Sequence, residues 1–247
     1  MSRAQAVTAL FLLLVAPALA AGQLPRIAII IDDLGYQLGA GQRVIALPGP
    51  VVCAILPGSP RARSLAHAAN ASGKEVLVHL PMQAVDHDGR VEATHMSLDM
   101  SRGRFSATFA EALAGVPHAV GINNHRGSLL TRHPGHMRWL MEEITQREGL
   151  FFIDSYTTHL SVALQLATEL GVRATRRDVF LDTDPSAATL GRELERLKTL
   201  ARKQGSAVAI GHPYEATLAF LEKEVPLLES QGFDLVPVSE LVRKDTL

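Results

Sequence analysis

The chain has 247 residues, enough for one large domain or two small ones, and its formal charge of −1 argues against a nucleic-acid partner, which leaves a basic excess. Aromatic residues are 5% of the chain, too few to suggest an extended stacking platform for bases or sugars. The single cysteine, Cys53, excludes an internal disulfide, and its neighbours Val51, Val52, Ala54 and Ile55 place it in a strand as a buried, inert thiol.

The N-terminus reads as a targeting segment. Arg3 supplies a positive start, residues 9–15 are apolar, and Pro17-Ala18-Leu19-Ala20 ends the run with small residues in an Ala-x-Ala frame. This is the layout of a secretory signal peptide, with cleavage expected near Ala20–Ala21, and its apolar core is too short for a permanent span. The expectation is therefore a signal peptide over 1–20 and one domain over 21–247, exported to the periplasm, with no membrane span after cleavage. An uncleaved N-terminal anchor is the alternative.

From residue 26 onward, strand-like and helix-like stretches alternate. Residues 27–31, four isoleucines and an alanine, run into Asp32-Asp33-Leu34-Gly35. A short run so rich in β-branched residues reads as a strand buried on both faces. A helical connection over 39–47 leads to a strand over 51–56, and a helix over 62–72 is stopped by Gly73. The third strand, 75–79, ends at His79-Leu80-Pro81-Met82. Residues 84–103 read as a long loop, and a loop of that length in a compact domain is more often functional than idle. A helix over 104–114 precedes a strand over 119–122 and the segment Asn123-Asn124-His125-Arg126-Gly127-Ser128. Further helices are expected over 134–147, 161–170, 189–204 and 214–229, and further strands over 149–153, 172–174, 178–181, 206–210 and 232–237. Regular βα alternation argues an α/β fold with a parallel sheet covered by helices. Seven or eight strands favour a barrel, complete or incomplete, over an open sheet.

The predicted strand ends carry Asp32-Asp33, His79, Asn124-His125, Asp154-Ser155, Asp182-Thr183-Asp184 and His212. In a barrel all these ends converge on one face. Two or three imidazoles plus a carboxylate, with an open position for water, make a catalytic zinc-type set. The bland alternatives stay open for single residues. Either aspartate of the first pair, Asp154, Asp182 or Asp184 could cap a helix, and His79 could pack in a core. His87, His95, His118, His133, His136 and His159 read as solvated or structural.

Asp32-Asp33-Leu34-Gly35, His79-Leu80-Pro81-Met82, Asn123 to Ser128, Phe180-Leu181-Asp182 and Gly211-His212-Pro213 together resemble the signature set of the divergent polysaccharide deacetylases. These are exported bacterial proteins related to the metal-dependent carbohydrate deacetylases, so the resemblance implies a distorted (β/α) barrel of the glycoside hydrolase/deacetylase type. It also implies roles. Asp32 is the general base, His212 the general acid, and Asp33 and His125 are ligands of a divalent metal ion, zinc by preference. The related enzymes place a second histidine one helical turn after the first, where this chain has Leu129. His79 is the proposed third ligand in its stead. Asn124, Ser128, Asp154 and Asp182 are expected around the site or against substrate, with Asp154 or Asp182 orienting a histidine.

The function implied is hydrolysis of acyl groups from an N-acetylated or otherwise acylated carbohydrate polymer, a cell-wall glycan, in the envelope. Two other readings remain: an envelope protein that binds metal or carbohydrate through a degraded site, and a different metal hydrolase such as a phosphodiesterase. The retained Asp32 and His212 favour an enzyme, since a binding module needs neither a base nor an acid.

Overall fold

A computed structural model describes residues 23–86 and 92–243, so the expected signal peptide and His87 lie outside the described residues. The strands are β1 (Arg26–Leu34), β2 (Val52–Ile55), β3 (Val76–Met82), β4 (Ala119–Arg126), β5 (Phe151–Asp154), β6 (Ala174–Arg176), β7 (Val179–Phe180), β8 (Ser206–Gly211) and β9 (Asp234–Leu235). The helices are α1 (Leu38–Ala46), α2 (Ala62–Ala71), α3 (Arg102–Gly115), α4 (Pro134–Thr145), α5 (Ala163–Glu169), α6 (Ala187–Gln204) and α7 (Glu215–Glu224). Along the sheet the order is β6-β5-β4-β3-β2-β1-β8-β7, and every neighbouring pair is parallel. The result is the curled, incomplete (β/α) barrel expected from the alternation. Among the described residues β6 and β7, the two ends of this order, do not pair with each other, and the outer edge of β6 takes a single antiparallel bridge from Arg243 to Ala174.

β1 is central and apolar on both faces because both are covered. Ile27, Ile29 and Ile31 pack into the larger core beneath the helices, whereas Ala28 and Ile30 face the barrel interior. There they meet Val52, Ala54, Leu77, Phe151, Ile153, Val208 and Ile210. Val236, Val238 and Leu241 from the C-terminal segment join the same inner cluster, beside the short β9 that pairs with the start of β1. This strand-by-strand alternation decides which residues reach the site.

Several boundaries differ from the sequence expectations. β1 and β4 continue through their polar ends, to Leu34 and Arg126, because those polar side chains find partners inside the barrel. β6 lies at Ala174–Arg176 rather than over 172–174, and only Asp234–Leu235 of the last expected strand pairs. The last helix ends at Glu224, where Pro226, lacking an N–H, turns the chain into a 3-10 segment. The long loop returns to β3: Met96 N–H donates to Pro81 O at 2.8 Å, and Gln83 N–H donates to Met96 O at 2.9 Å.

Candidate functional site

The inner face of the sheet changes character at its carboxyl end. On β1 the inward sequence is Ala28, Ile30, Asp32; on β3 it is Leu77, His79. On β5 Ile153 is followed by Ser155, and on β8 Ile210 is followed by His212. On β4 alternate residues Gly121, Asn123 and His125 share one side. Period-2 alternation thus carries polar residues from β1, β3, β4, β5 and β8 to a common point, where barrel chemistry collects.

Asp33 reaches that point by a different device. Ile31 is opposite Cys53 but Leu34 is opposite Ile55, so β1 has one residue more than β2 across this step. The extra residue forms a β-bulge, and Asp33 has a φ of 57°, in the left-handed region that Asp tolerates better than most residues. The bulge turns two consecutive carboxylates toward one site, which a regular strand does not allow.

Three donor atoms then converge. Asp33 Oδ1 lies 2.9 Å from His125 Nδ1 and 3.1 Å from His79 Nε2, and the two ring nitrogens are 3.0 Å apart. This is the one Asp/Glu/His/Cys group among the described residues with a metal-holding arrangement. The separations are close to the roughly 3.3 Å edge of a tetrahedron with bonds of about 2.0–2.1 Å, so the set fits a small divalent ion.

The hydrogen-bond chain behind the trio supports the same fit. Asn123 Nδ2 donates to Asp32 Oδ1 at 2.7 Å and to Ser155 Oγ at 3.3 Å, which leaves Asn123 Oδ1 to accept from His79 Nδ1 at 2.9 Å. A neutral His79 therefore carries its proton on Nδ1 and turns a bare Nε2 lone pair toward the Asp33 carboxylate. Two acceptors at 3.1 Å need a cation between them. Burial pushes the Asp33 carboxyl up, but hydrogen bonds from His125 and His79, with their charges, hold it well below the usual carboxylate range. Burial disfavours charge on His79, yet Asp32 and Asp33 outweigh it and raise its pKa. The trio is built to hold positive charge, as a proton or as a metal.

Asp32 sits beside this point, with Oδ2 3.6 Å from His79 Nε2. Burial raises its carboxyl pKa, outweighing the opposing pull of His79, His212 and the Asn123 hydrogen bond. His212 approaches from β8. Its Nδ1 lies 2.9 Å from Asp182 Oδ1, and Thr217 Oγ donates to Asp182 Oδ2 at 2.9 Å. Burial lowers the His212 pKa, but the Asp182 hydrogen bond and the charges of Asp32, Asp182 and Asp33 raise it to about 9. A cleft of about 210 Å³ opens beside Asp33, lined by Leu34, Gly35, Tyr36, Ala40, Pro213 and Tyr214. Tyr36 and Tyr214 are exposed there, an aromatic pair that bulk composition did not suggest.

The remaining expected residues lie around this group. Of the two aspartates proposed to orient a histidine, Asp182 contacts His212 and Asp154 contacts none. Asp154 instead accepts from Tyr156 N–H at 2.8 Å and Ser161 Oγ at 2.7 Å, shaping the β5–α5 connection. Asn124 points away from the trio and braces the strand ends, accepting from Ser155 N–H at 2.8 Å and donating to Arg126 O at 2.8 Å. Ser128 Oγ accepts from Val85 N–H at 3.0 Å and pins the loop after β3. Leu129 offers no ligand; its N–H donates to Gln83 O at 3.1 Å. His79 is buried with both ring nitrogens engaged, so it is neither a bystander nor simple core.

Asn123, Ser155, Thr217 and Glu92 lie at the site without a role assigned from the sequence. Asn123 and Ser155 were detectable, because they share strand parity with His125 and Ile153. Glu92, whose Oε1 lies 3.4 Å from His125 Nε2, comes from the long loop and had no local signal. Of the histidines set aside as structural, His118 pairs with His67 at 2.9 Å and His133 with His136 at 2.9 Å, while His95 Nδ1 lies 3.9 Å from Glu92.

The family model described as divergent polysaccharide deacetylase matches residues 29–242. The uncharacterized protein YibQ of Escherichia coli K12 is 37% identical over 222 residues, 90% of this chain and 67% of that one. Among solved structures, an uncharacterized protein of Agrobacterium tumefaciens C58 superposes with a TM-score of 0.85 at 22% identity, covering 90% of this chain and 91% of that one. The catalytic domain of a peptidoglycan N-acetylglucosamine deacetylase from Eubacterium rectale gives a TM-score of 0.57 at 15% identity, covering 91% and 96%.

Proposed function

The chain belongs to the divergent polysaccharide deacetylase family, and on that premise we propose that it is a metal-dependent hydrolase that removes acetyl groups from an N-acetylated glycan of the cell envelope. The observation that carries this reading is the meeting of Asp33 Oδ1, His79 Nε2 and His125 Nδ1 within 3.1 Å of one another, with a base candidate beside them and an acid candidate on β8. The Eubacterium rectale neighbour, named for deacetylation of peptidoglycan N-acetylglucosamine, suggests the substrate class.

Asp33, His79 and His125 would hold the ion, with zinc the preferred identity from two imidazoles and a carboxylate. When bound, a divalent ion supplies Lewis-acid polarisation at this point of the cleft. Asp32 accepts a proton from the attacking water, whose oxygen forms the new bond to the amide carbonyl carbon. The raised pKa of Asp32 makes it a better proton acceptor than an ordinary surface aspartate. His212, protonated near neutrality with a pKa of about 9, delivers a proton to the leaving nitrogen as the C–N bond breaks. The products are acetate and a free amino sugar. Asp182 and Thr217 keep the His212 ring aimed from below.

Export is part of the same proposal and rests on the signal-like residues 1–20. No helix among the described residues is long and apolar enough to cross a membrane. The direct test is acetate release from acetylated chito-oligosaccharides and from peptidoglycan by the metal-loaded protein. Release that disappears in Asp32→Asn while the metal stays bound is the expected outcome. Full metal occupancy with no release across the panel would replace the enzyme with a binding protein.

A further inference from the structure

Each of the three histidines of the site turns one ring nitrogen to a side-chain oxygen. His79 Nδ1 meets Asn123 Oδ1 at 2.9 Å and His212 Nδ1 meets Asp182 Oδ1 at 2.9 Å. For His125 the oxygen comes from the connection between β3 and α3: Glu92 Oε1 stands 3.4 Å from Nε2, on the ring atom that does not face Asp33. We propose that Glu92 is a positioning residue, which holds the His125 ring with its proton on Nε2 so that the bare Nδ1 completes the trio with Asp33 and His79. This rests on reading that trio as a metal centre.

Anchoring of the loop does not account for the carboxylate. The loop is already held by the backbone of Met96 against Pro81 and Gln83, and by Gln83 Oε1, which accepts from Leu98 N–H at 2.9 Å. Glu92 is largely buried, with its side chain 14% exposed, and its Oε2 has no hydrogen-bond donor among the described residues. Arg126 Nη2, at 3.9 Å from Oε1, faces the same oxygen as His125. Metal-ligating imidazoles commonly give their second N–H to a carboxylate, which fixes tautomer and ring orientation. Glu92 Oε1, 3.4 Å from Nε2, is the carboxylate oxygen placed for that relation to His125, and it ties the ring to the β3–α3 connection.

The test is metal titration of the full chain, stripped and then reloaded with Co2+ against a competing chelator, reading both affinity and the visible spectrum of the bound ion. Glu92→Ala should bind about 10–100-fold more weakly with an altered spectrum, the range typical of such partners, while the melting temperature of the metal-free protein stays at the wild-type value. Glu92→Gln, whose amide oxygen still accepts from Nε2–H, should recover most of the affinity. Wild-type affinity and spectrum in Glu92→Ala would overturn the assignment, as would equal losses in the Ala and Gln variants. No uptake by the wild type would instead remove the metal centre itself, and this assignment with it.

Discussion

His212 Nδ1 stands 2.9 Å from one oxygen of Asp182, and the other oxygen accepts the His212 backbone N–H at 2.6 Å. A single carboxylate thus fixes both the main chain and the ring. Its charge, with those of Asp32 and Asp33, outweighs burial and raises the ring pKa from 6.5 to about 9. A histidine raised in this way stabilises the fold fully below the unfolded pKa of 6.5, and the contribution fades as pH rises through about 9. Asp182→Asn removes the charge that holds the proton. In metal-free protein, the urea midpoint of wild type should exceed that of Asp182→Asn most below pH 6.5, and the gap should narrow as pH passes about 9. A gap that widens with pH would contradict the assignment.

Metal binding should depend on all three atoms of the trio. Elemental analysis of purified protein should find about one divalent ion per chain. Asp33→Ala, His79→Ala and His125→Ala should each weaken binding beyond the roughly 100-fold upper range for an outer partner. Saturating metal at about 100 times Kd should add about 2.7 kcal/mol of stability to wild type, visible as a rise in Tm, and little to the three variants.

Asn123 links Asp32 and His79 through one amide. Asn123→Leu keeps the branched heavy-atom skeleton but leaves Asp32 Oδ1 and His79 Nδ1 without their partner in a buried site. Each such loss costs roughly 1–3 kcal/mol, so the denaturant midpoint should drop clearly, and metal affinity should fall as the His79 tautomer is released. Asn124→Leu, which disturbs a brace away from the trio, should cost stability with a smaller effect on metal.

Gly35 closes the turn after the carboxylate pair with a φ of 128°, and a Cβ there would fall 1.8 Å from Ser59 Oγ. Gly35→Ala therefore forces both a strained backbone and a shift of Ser59. A loss of about 1–3 kcal/mol is expected, with weaker metal binding because Asp33 is two residues away. Gly35→Ala combined with Ser59→Gly relieves the clash but not the backbone strain, so it should restore only part of the stability.

Much of this arrangement was legible in the sequence because β-alternation is local. The isoleucine-rich run at 27–31, the strand-end acids and histidines, and the βα rhythm depend on near neighbours, and the barrel follows from them. The place of His79 in the trio was legible too, since it ends a strand run whose carboxyl end meets the same face as that of β1, with β2 between them. What local pattern did not convey was pairing at a distance. Asp154 reads like Asp182, a strand-end carboxylate, yet only Asp182 meets a histidine, because Asp182 shares parity with the inward Phe180 beside β8 whereas Asp154 has the opposite parity to the inward Ile153. Glu92 lies in a polar loop whose path depends on Met96 returning to β3, a contact no periodicity encodes. Strand ends were underestimated for a related reason: Asn123 and His125 lack the apolar character that marks a strand, and they stay in it because the interior supplies their hydrogen bonds.

The bulge in β1 makes the two carboxylates unequal in a way that point substitution does not expose. Strand alternation alone aims Asp32, whereas Asp33 depends on the one-residue excess over β2. Deleting Asp32 and deleting Asp33 produce the same polypeptide, Ile31 followed by a single Asp and then Leu34. With the excess gone, that Asp takes the inward position after Ile30 by alternation, the place of Asp32, and His79 and His125 face no carboxylate in the place of Asp33. A lineage shortened by one codon here therefore loses the Asp33 carboxylate whichever codon is lost, and no substitution at the surviving aspartate restores both positions.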